Sequence, residues 1–216
     1  MEVNGHEIET GANLIGVDLS SENLTDAILT DADLSDADFS YANLTSANLT
    51  GANLTSANLS GANLTEANLT CADLSGADIS FADLTRADLY GANMTKANLN
   101  NADLTEATLE QANLTGAKLT GAKLIGAKLT SANLTSANLS GADLSGANLT
   151  DSNLEGCDLS GVNFENAHLT NAFLGATILD SETDFEHARL EGTIFGDEDV
   201  DDLDLESFES DTDFGE

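Results

Sequence analysis

Polar side chains that could take part in chemistry recur at fixed intervals along most of this chain. One series with a spacing of 20 residues consists of amides and carboxylates: Asn13, Asp33, Asn53, Asp73, Asn93, Asn113, Asn133 and Asn153. A second series consists of threonines: Thr25, Thr45, Thr65, Thr85 and Thr105. Arrays of this kind are compatible with binding sites, but stacked polar side chains also reinforce stacked strands. We therefore interpret both series as structural side-chain ladders.

The residues that most often carry catalysis are few and scattered. His6, His168 and His187 do not have the spacing of metal ligands. No Ser/His/Asp or Cys/His set, and no Gly-rich phosphate-binding loop, stands out from the repeated sequence. The sequence therefore predicts no catalytic residue, no cofactor-binding residue and no metal site, and hence a protein that is not an enzyme.

Two short motifs have simpler explanations than function. Asp197, Asp199 and Asp201 are spaced like the first ligands of a calcium loop, but Asp202 stands where that loop needs glycine. The many NLT and NLS triplets match the N-glycosylation motif, but the repeat itself generates them. We expect neither a calcium site nor glycosylation.

The overall composition is strongly acidic, with 39 Asp plus Glu against 6 Lys plus Arg and a net charge of −33. Such a balance with few aromatic residues is typical of disordered chains, but 41% of the residues are apolar and the leucines are regularly placed. The first residues, MEVNGHEIETG, lack the basic and apolar regions of a signal peptide. No apolar run is long enough to cross a membrane. We expect a cytoplasmic protein without membrane contact.

The apolar residues, which must form the core that positions the polar series, recur with a period of five residues. From Leu14 to Leu179 every fifth residue is large and apolar, at 34 consecutive positions. The residue two places before each is small, and is alanine at 25 successive positions from Ala27 to Ala147. In an α-helix this period would spread the leucines over every face, and in a long strand it would send successive leucines to opposite faces. A coil that turns a corner every five residues points both residues inward each time.

The unbroken A-[N/D]-L-[S/T]-x pattern, as in GANLTSANLS, resembles that of the pentapeptide-repeat proteins over residues 12–180. This resemblance implies an all-β fold, a right-handed quadrilateral β-helix with four pentapeptides per coil. With i as the large apolar residue, it implies that residues i−2 and i face inward and that i−1, i+1 and i+2 face solvent. About 8.5 coils, each about 4.8 Å high, would form a rod about 41 Å long.

The pattern divides the chain into three parts. Residues 1–10 are predicted to form an N-terminal cap, residues 11–195 the β-helix, and residues 196–216 an acidic C-terminal tail. A one-residue slip is expected near 180–184, because the interval between two successive apolar centres is six residues there.

The N-terminal end of the predicted rod departs from the repeat. Glu22 occupies an inward position, which predicts that the first coil is irregular. Ile15 and Ile28 are apolar residues at outward positions, and Val3 and Ile8 are placed to cover them.

The charge distribution bears on the best-known activity of the pentapeptide-repeat family, the protection of DNA gyrase by rods that mimic duplex DNA. About 41 Å of B-DNA carries roughly 24 charges, whereas residues 11–180 hold 21 acids and 5 bases, a net charge of −16. Residues 41–65 carry no charge, and Lys118, Lys123 and Lys128 form a positive belt. An acidity that keeps a protein soluble in high salt, as in halophilic archaea, explains this balance better than mimicry.

We therefore expect a non-catalytic rigid β-helical scaffold for protein–protein interaction, with an unidentified protein partner and no direct binding of nucleic acid. The alternative is a DNA-mimic protein that binds a type II topoisomerase (gyrase) and inhibits or protects it.

The predicted contact surface lies at the C-terminal end of the rod. Phe173 and Ile178 occupy outward i−1 positions that usually hold Asn or Asp in this chain. Apolar side chains beside an unpaired strand edge need a cover. Either the acidic tail folded over them or a symmetric homodimer through the C-terminal end, as in the gyrase-protecting relatives, would provide it.

Overall fold

The computed structural model describes residues 1–196, and they form a right-handed quadrilateral β-helix. This is the all-β fold class that the sequence predicts. Residues 197–216, which include most of the predicted tail and the calcium-like Asp motif, lie outside the described part. Within the described part, no helix is long and apolar enough to cross a membrane.

Each corner of the coil is a hydrogen-bonded turn built by one pentapeptide. At a representative corner the Ala47 N–H donates to the Leu44 carbonyl at 2.9 Å, and Ser46 has a φ of 56°. A turn closed in this way, with positive φ only at its third residue, is of type II. The chain therefore changes direction after every large apolar residue and brings the next small residue back to the interior.

Successive coils are joined by parallel bridges between residues 20 apart. The Leu44 N–H donates to the Asn63 carbonyl at 2.7 Å, and the Asn63 N–H donates back to the Ala42 carbonyl at 2.9 Å. Each face contributes one bridge per coil, such as Asn43 with Asn63. Four faces of five residues make up the 20-residue coil, so the side chains at equivalent positions stack in columns along the rod.

The interior of the rod is filled by the leucine and alanine positions of the repeat. Every central residue from Leu14 to Leu174 is at most 2% exposed. Two inward positions that are buried hold hydroxyl residues, and both hydroxyls donate to the preceding turn. Ser152 donates to the Leu149 carbonyl at 2.7 Å, and Thr177 donates to the Leu174 carbonyl at 3.0 Å.

A β-hairpin closes the N-terminal end. Strand β1 (Glu2–Val3) pairs antiparallel with β2 (His6–Glu7). Asn4 and Gly5 connect them with φ values of 53° and 79°, as a two-residue type I′ turn requires. The following residue, Ile8, is 2% exposed and joins the core of the first coil.

The prediction of an irregular first coil is wrong. The Glu22 N–H still closes its turn on the Leu19 carbonyl at 3.3 Å, and the next residue, Asn23, bridges to Asn43. The Glu22 carboxylate is half-buried and accepts a hydrogen bond from the Asn4 amide at 3.0 Å. An acid at this inward position is tolerated because it lies at the open end of the rod, where the hairpin supplies a donor.

The spacing of the ladder changes from 20 to 21 residues near the C-terminal end. Asp158 bridges to Ile178, but Asn163 bridges to Asp184. Asp180 accommodates the extra residue, because its carboxylate accepts the Gly161 N–H at 2.9 Å, a donor that elsewhere in the ladder bonds to a backbone carbonyl.

The last described coil ends in a parallel strand pair and an aromatic cluster. Strand β3 (Phe173–Leu174) pairs with β4 (Ile194–Phe195). Phe164 and Phe185 stack with ring centroids 5.0 Å apart, and Phe195 packs edge-on against Phe185 at 6.2 Å. These three rings fill the interior at the end of the ladder.

Candidate interaction surface

The outward polar residues of the repeat bond to their own pentapeptide. The Asn43 side-chain oxygen accepts the Thr45 N–H at 3.1 Å and the Thr45 hydroxyl at 2.6 Å. This arrangement needs an oxygen acceptor at i−1 and favours a hydroxyl donor at i+1, which accounts for the [N/D]-L-[S/T] part of the consensus. Most of these side chains are therefore engaged in holding the turn.

Contacts between coils are fewer than the predicted ladders require. Asn53 donates its amide to Asp33 at 3.0 Å, and Asn93 donates to Asp73 at 3.0 Å. These bonds form where an asparagine follows an aspartate in the same column, because the amide then faces a carboxylate. The threonine hydroxyls bond mainly within their own turn, so the threonine series is not a ladder.

The positive belt replaces three of the local acceptors. Lys118 cannot accept the Thr120 N–H, and Asn100 of the preceding coil accepts that N–H instead at 3.0 Å. Lys123 lies 3.4 Å from the Asp103 carboxylate. Burial acts to raise the pKa of Asp103, but hydrogen bonds from Thr105 and Lys123 lower it below its ordinary value.

Groups that could hold a metal or act as a nucleophile are not assembled in residues 1–196. That part of the chain contains no cluster of three or more His, Cys, Asp and Glu side chains that could bind a metal ion. Burial raises the pKa of the Cys157 thiol to about 12, and the thiol donates to the Leu134 carbonyl at 3.0 Å. This cysteine stays protonated and serves as a core residue.

The predicted contact residues Phe173 and Ile178 lie on adjacent faces of the last regular coil. Ile178 is 58% exposed, whereas Phe173 is half-buried. The Phe173 ring packs against Gly175, where an added Cβ would lie 2.6 Å from the ring. Ile194, which pairs with Phe173 across β3 and β4, is 56% exposed. Ile178 and Ile194, rather than Phe173, present most of the exposed apolar surface.

The N-terminal end carries a second apolar surface. Ile15 and Ile28 remain 50% and 56% exposed, so the prediction that Val3 and Ile8 cover them is wrong. The reason is that the hairpin turns Ile8 into the interior. A shallow depression remains between Met1 and Ile28.

Sequence reasoning missed the two most exposed aromatic residues, which lie in the N-terminal half of the rod. Tyr41 and Phe81 are 72% and 68% exposed and lie in one corner column. Their exposure could have been predicted, because both occupy i+2 positions, which face solvent in this repeat. Ile194 was missed as well, although it occupies an i−1 position like Ile178.

Comparison with known proteins agrees with this architecture. The family model described as pentapeptide repeats matches in eight overlapping copies that together span residues 10–197. No curated protein gives a significant match.

Among solved structures, HetL, a pentapeptide repeat protein involved in heterocyst differentiation regulation from the cyanobacterium Nostoc sp. strain PCC 7120, is 34% identical. The match covers 87% of this chain and 91% of HetL, with a TM-score of 0.40. A second pentapeptide repeat protein of Nostoc PCC 7120 is 33% identical over 45% of this chain and 84% of its own, with a TM-score of 0.41.

The trypsin-treated form of a variant of QnrB1, a plasmid-mediated fluoroquinolone resistance protein, is 19% identical, with a TM-score of 0.51. That match covers 88% of this chain and 91% of the QnrB1 chain and supports the fold alone. The repeat, the 20-residue coil and the family match together lead to one conclusion: the chain belongs to the pentapeptide repeat family.

Proposed function

We propose that this protein is a non-catalytic rigid scaffold for protein–protein interaction, and that its C-terminal end is a contact surface. The observation that carries the proposal is the exposure of Ile178 and Ile194 beside the last strand pair. Exposed apolar side chains next to an unpaired strand edge favour association with another chain. Because most outward polar groups already bond within their turns, the rod offers shape and surface rather than reactive groups.

The first partner that this surface fits is a second copy of the chain. A two-fold contact between C-terminal ends would cover both edges and both apolar surfaces at once. Residues 196–216 contain 11 acidic residues, and two such segments repel each other. Association should therefore strengthen as salt screens the charge.

Sedimentation velocity of the full chain over a salt series tests this proposal. We expect a monomer–dimer equilibrium that shifts toward the dimer in high salt, and a monomer when Ile178→Asp and Ile194→Asp are combined. Ile125→Asp is the matched control, since Ile125 is also exposed, at 38%, but lies mid-rod. A chain ending at Gly196 should associate at lower salt. A full chain and a shortened chain that both stay monomeric at every salt concentration would exclude the dimer.

A second candidate, favoured by the net charge of −33, is a DNA mimic that binds a type II topoisomerase. Its charge density is lower than that of a duplex, and the uncharged segment 41–65 and the positive belt interrupt it. A gyrase supercoiling assay with added protein tests this candidate. Inhibition or drug protection at stoichiometric levels would support it, and no effect at a large excess would exclude it.

The acidity itself is better explained by adaptation to salt, as in halophilic archaea. Repulsion among surface carboxylates destabilises the compact state at low ionic strength, and counterions screen it. The melting temperature should therefore rise steadily as KCl is increased well above physiological concentrations. A melting temperature that is independent of salt would contradict this explanation.

A further inference from the structure

Two aromatic side chains stand out on one corner of the rod, far from its C-terminal end. Tyr41 and Phe81 are 72% and 68% exposed, and both have a φ of 58°. They occupy the same i+2 column, two coils apart. We call this corner, defined by Tyr41, Gly61 and Phe81, the aromatic edge.

Local stability does not explain these residues. A positive φ is unfavourable for a bulky side chain, and a mostly exposed ring gains little from burial. Other residues of the same column avoid both costs with glycine: Gly61, Gly121, Gly141 and Gly161. Residues that go against local preference are often functional.

Each aromatic residue belongs to a matching unit with a carboxylate. The units are Asp38-Phe39-Ser40-Tyr41 and Asp78-Ile79-Ser80-Phe81. In the first, Asp38 Oδ1 accepts the Ser40 N–H at 2.8 Å and the Asn58 amide at 3.1 Å. In the second, Asp78 Oδ1 accepts the Ser80 N–H at 3.0 Å and the Asn98 amide at 2.9 Å. These bonds hold each carboxylate in place through one oxygen and leave its Oδ2 to accept another donor.

The charge around the aromatic edge is negative. Its two flanking faces carry Asp38, Asp78 and Asp83 between residues 38 and 98, and the edge and these two faces contain no Lys or Arg in that span. A ring three residues from a carboxylate is a favourable site for a guanidinium group, which can stack on the ring and donate to the carboxylate. The expected occupant is therefore cationic.

The spacing of the two units selects the conformation of the occupant. Two coils separate them, about 9.6 Å along the rod at about 4.8 Å per coil. In a polyproline II helix, residues i and i+3 lie on one face about 9.3 Å apart. The Tyr41 ring lies across Gly61, where an added Cβ would be 2.6 Å from it. The Tyr41 ring thus occupies the space between the two units. A polyproline II segment fits this arrangement, because residues i+1 and i+2 do not point toward the rod when i and i+3 do.

We propose that the aromatic edge binds an arginine-containing polyproline II segment of a partner protein, with arginines at i and i+3. One guanidinium stacks on Tyr41 and donates to Asp38, and the other stacks on Phe81 and donates to Asp78. This site is separate from the C-terminal contact surface and stands whether or not the chain dimerises.

Peptide binding to the full chain tests the proposal, measured by fluorescence anisotropy at about physiological ionic strength. The probe is a labelled peptide of sequence PPRPPRPP, and PPPRRPPP has the same composition with the wrong spacing. We expect the first peptide to bind at least about fivefold more tightly than the second, in line with two ring–guanidinium contacts. A helical peptide with arginines seven residues apart should bind more weakly than the first.

The informative variant combines Tyr41→Ser and Phe81→Ser, which changes no charge and so preserves general attraction between the acidic rod and a basic peptide. Serine is compatible with this backbone, since Ser46 has a φ of 56°, and the melting temperature verifies folding. The double variant should lose the spacing preference, whereas Tyr90→Ser, at an exposed tyrosine outside the edge, should keep it. Equal binding of the two peptides by the wild type, an unchanged preference in the double variant, or tighter binding of the helical peptide would overturn the proposal.

Discussion

At the scale of single residues, the effect of a substitution depends on whether the side chain faces the interior of the rod or the solvent. Leu99 is fully buried, and truncating a buried leucine alone costs about 2–5 kcal/mol. Leu99→Asp adds the cost of an unpaired buried carboxylate and should prevent folding or lower the melting temperature severely. Asn98→Asp is the matched control at the neighbouring outward position: it loses the amide bond to Asp78 and brings two carboxylates together, a smaller cost because water and salt screen charges at an outward position. Similar melting temperatures for the two variants would contradict the assignment of inward and outward positions.

At the positive belt, one hydrogen bond to a side chain of the preceding coil replaces the usual bond within the turn. Asn100 accepts the Thr120 N–H, which Lys118 cannot accept. We expect Asn100→Ser to destabilise the wild type by about 0.5–1 kcal/mol, the usual value of such a bond. In a Lys118→Asn background the local acceptor is restored, so the same change should be nearly neutral. A double-mutant cycle from urea unfolding measures this coupling, and additive effects would contradict it.

At the scale of elements, the one-residue slip depends on a carboxylate. The Gly161 N–H donates to Asp180 and lowers the pKa of its carboxyl below the ordinary value of 3.8. The ionised form therefore stabilises the folded state above pH 3.8, and this contribution is lost as the pH falls below that value toward the lowered folded-state pKa. Asp180→Asn keeps an acceptor oxygen without a charge.

We expect the melting temperature of the wild type to fall more steeply below pH 3.8 than that of Asp180→Asn. Asp180→Ala, which removes the acceptor, should be less stable than Asp180→Asn at neutral pH. Parallel pH profiles of the wild type and Asp180→Asn would show that this side chain does not control the slip.

The N-terminal hairpin was less predictable than the coils. Its turn has a clear signal, the Asn4-Gly5 pair between two short segments that each hold a central glutamate, MEV and HEI. Val3 and Ile8, however, are five residues apart, which is also the spacing of the repeat. From that spacing an antiparallel hairpin cannot be distinguished from a further turn of the coil. Tertiary context, in this case the open end of the rod, decided between the two structures.

At the scale of the whole molecule, the leucine and alanine period predicted the residues of the core. The family resemblance then predicted the fold class. The contact surfaces could be predicted only in part. Ile178 is exposed as its outward position requires, but Phe173 folds onto Gly175, a contact that depends on side-chain rotamers. Tyr41 and Phe81 were missed because i+2 positions accept many residue types in this chain, so an aromatic ring there breaks no visible rule.

The hairpin also closes one end of the rod, and we expect it to block pairing with other copies. Among residues 1–196, the first coil, represented by Asn13 and Asp18, is bridged only to the coil that follows it, so its other edge is a template for pairing. Deleting residues 1–9 should expose this edge and produce concentration-dependent, end-to-end association. Because the C-terminal end associates in the proposed dimer, a second associating end should give a ladder of sizes in sedimentation rather than a dimer alone. Glu7→Gln, which keeps the hairpin, is the control, and a monomeric deletion variant would contradict the protective role.

The 20-residue coil gives insertions and deletions a simple geometric meaning. Removing five residues from the middle of the rod would rotate everything beyond that point by about a quarter turn, whereas removing 20 would shorten the rod by one coil, about 4.8 Å, without rotation. Tyr41 and Phe81 are 40 residues apart and therefore share an azimuth. Duplicating or deleting whole coils between them would change the distance between the two side chains and keep them on the same side of the rod. Insertions and deletions can therefore change the separation of two surface features and the angle between them independently.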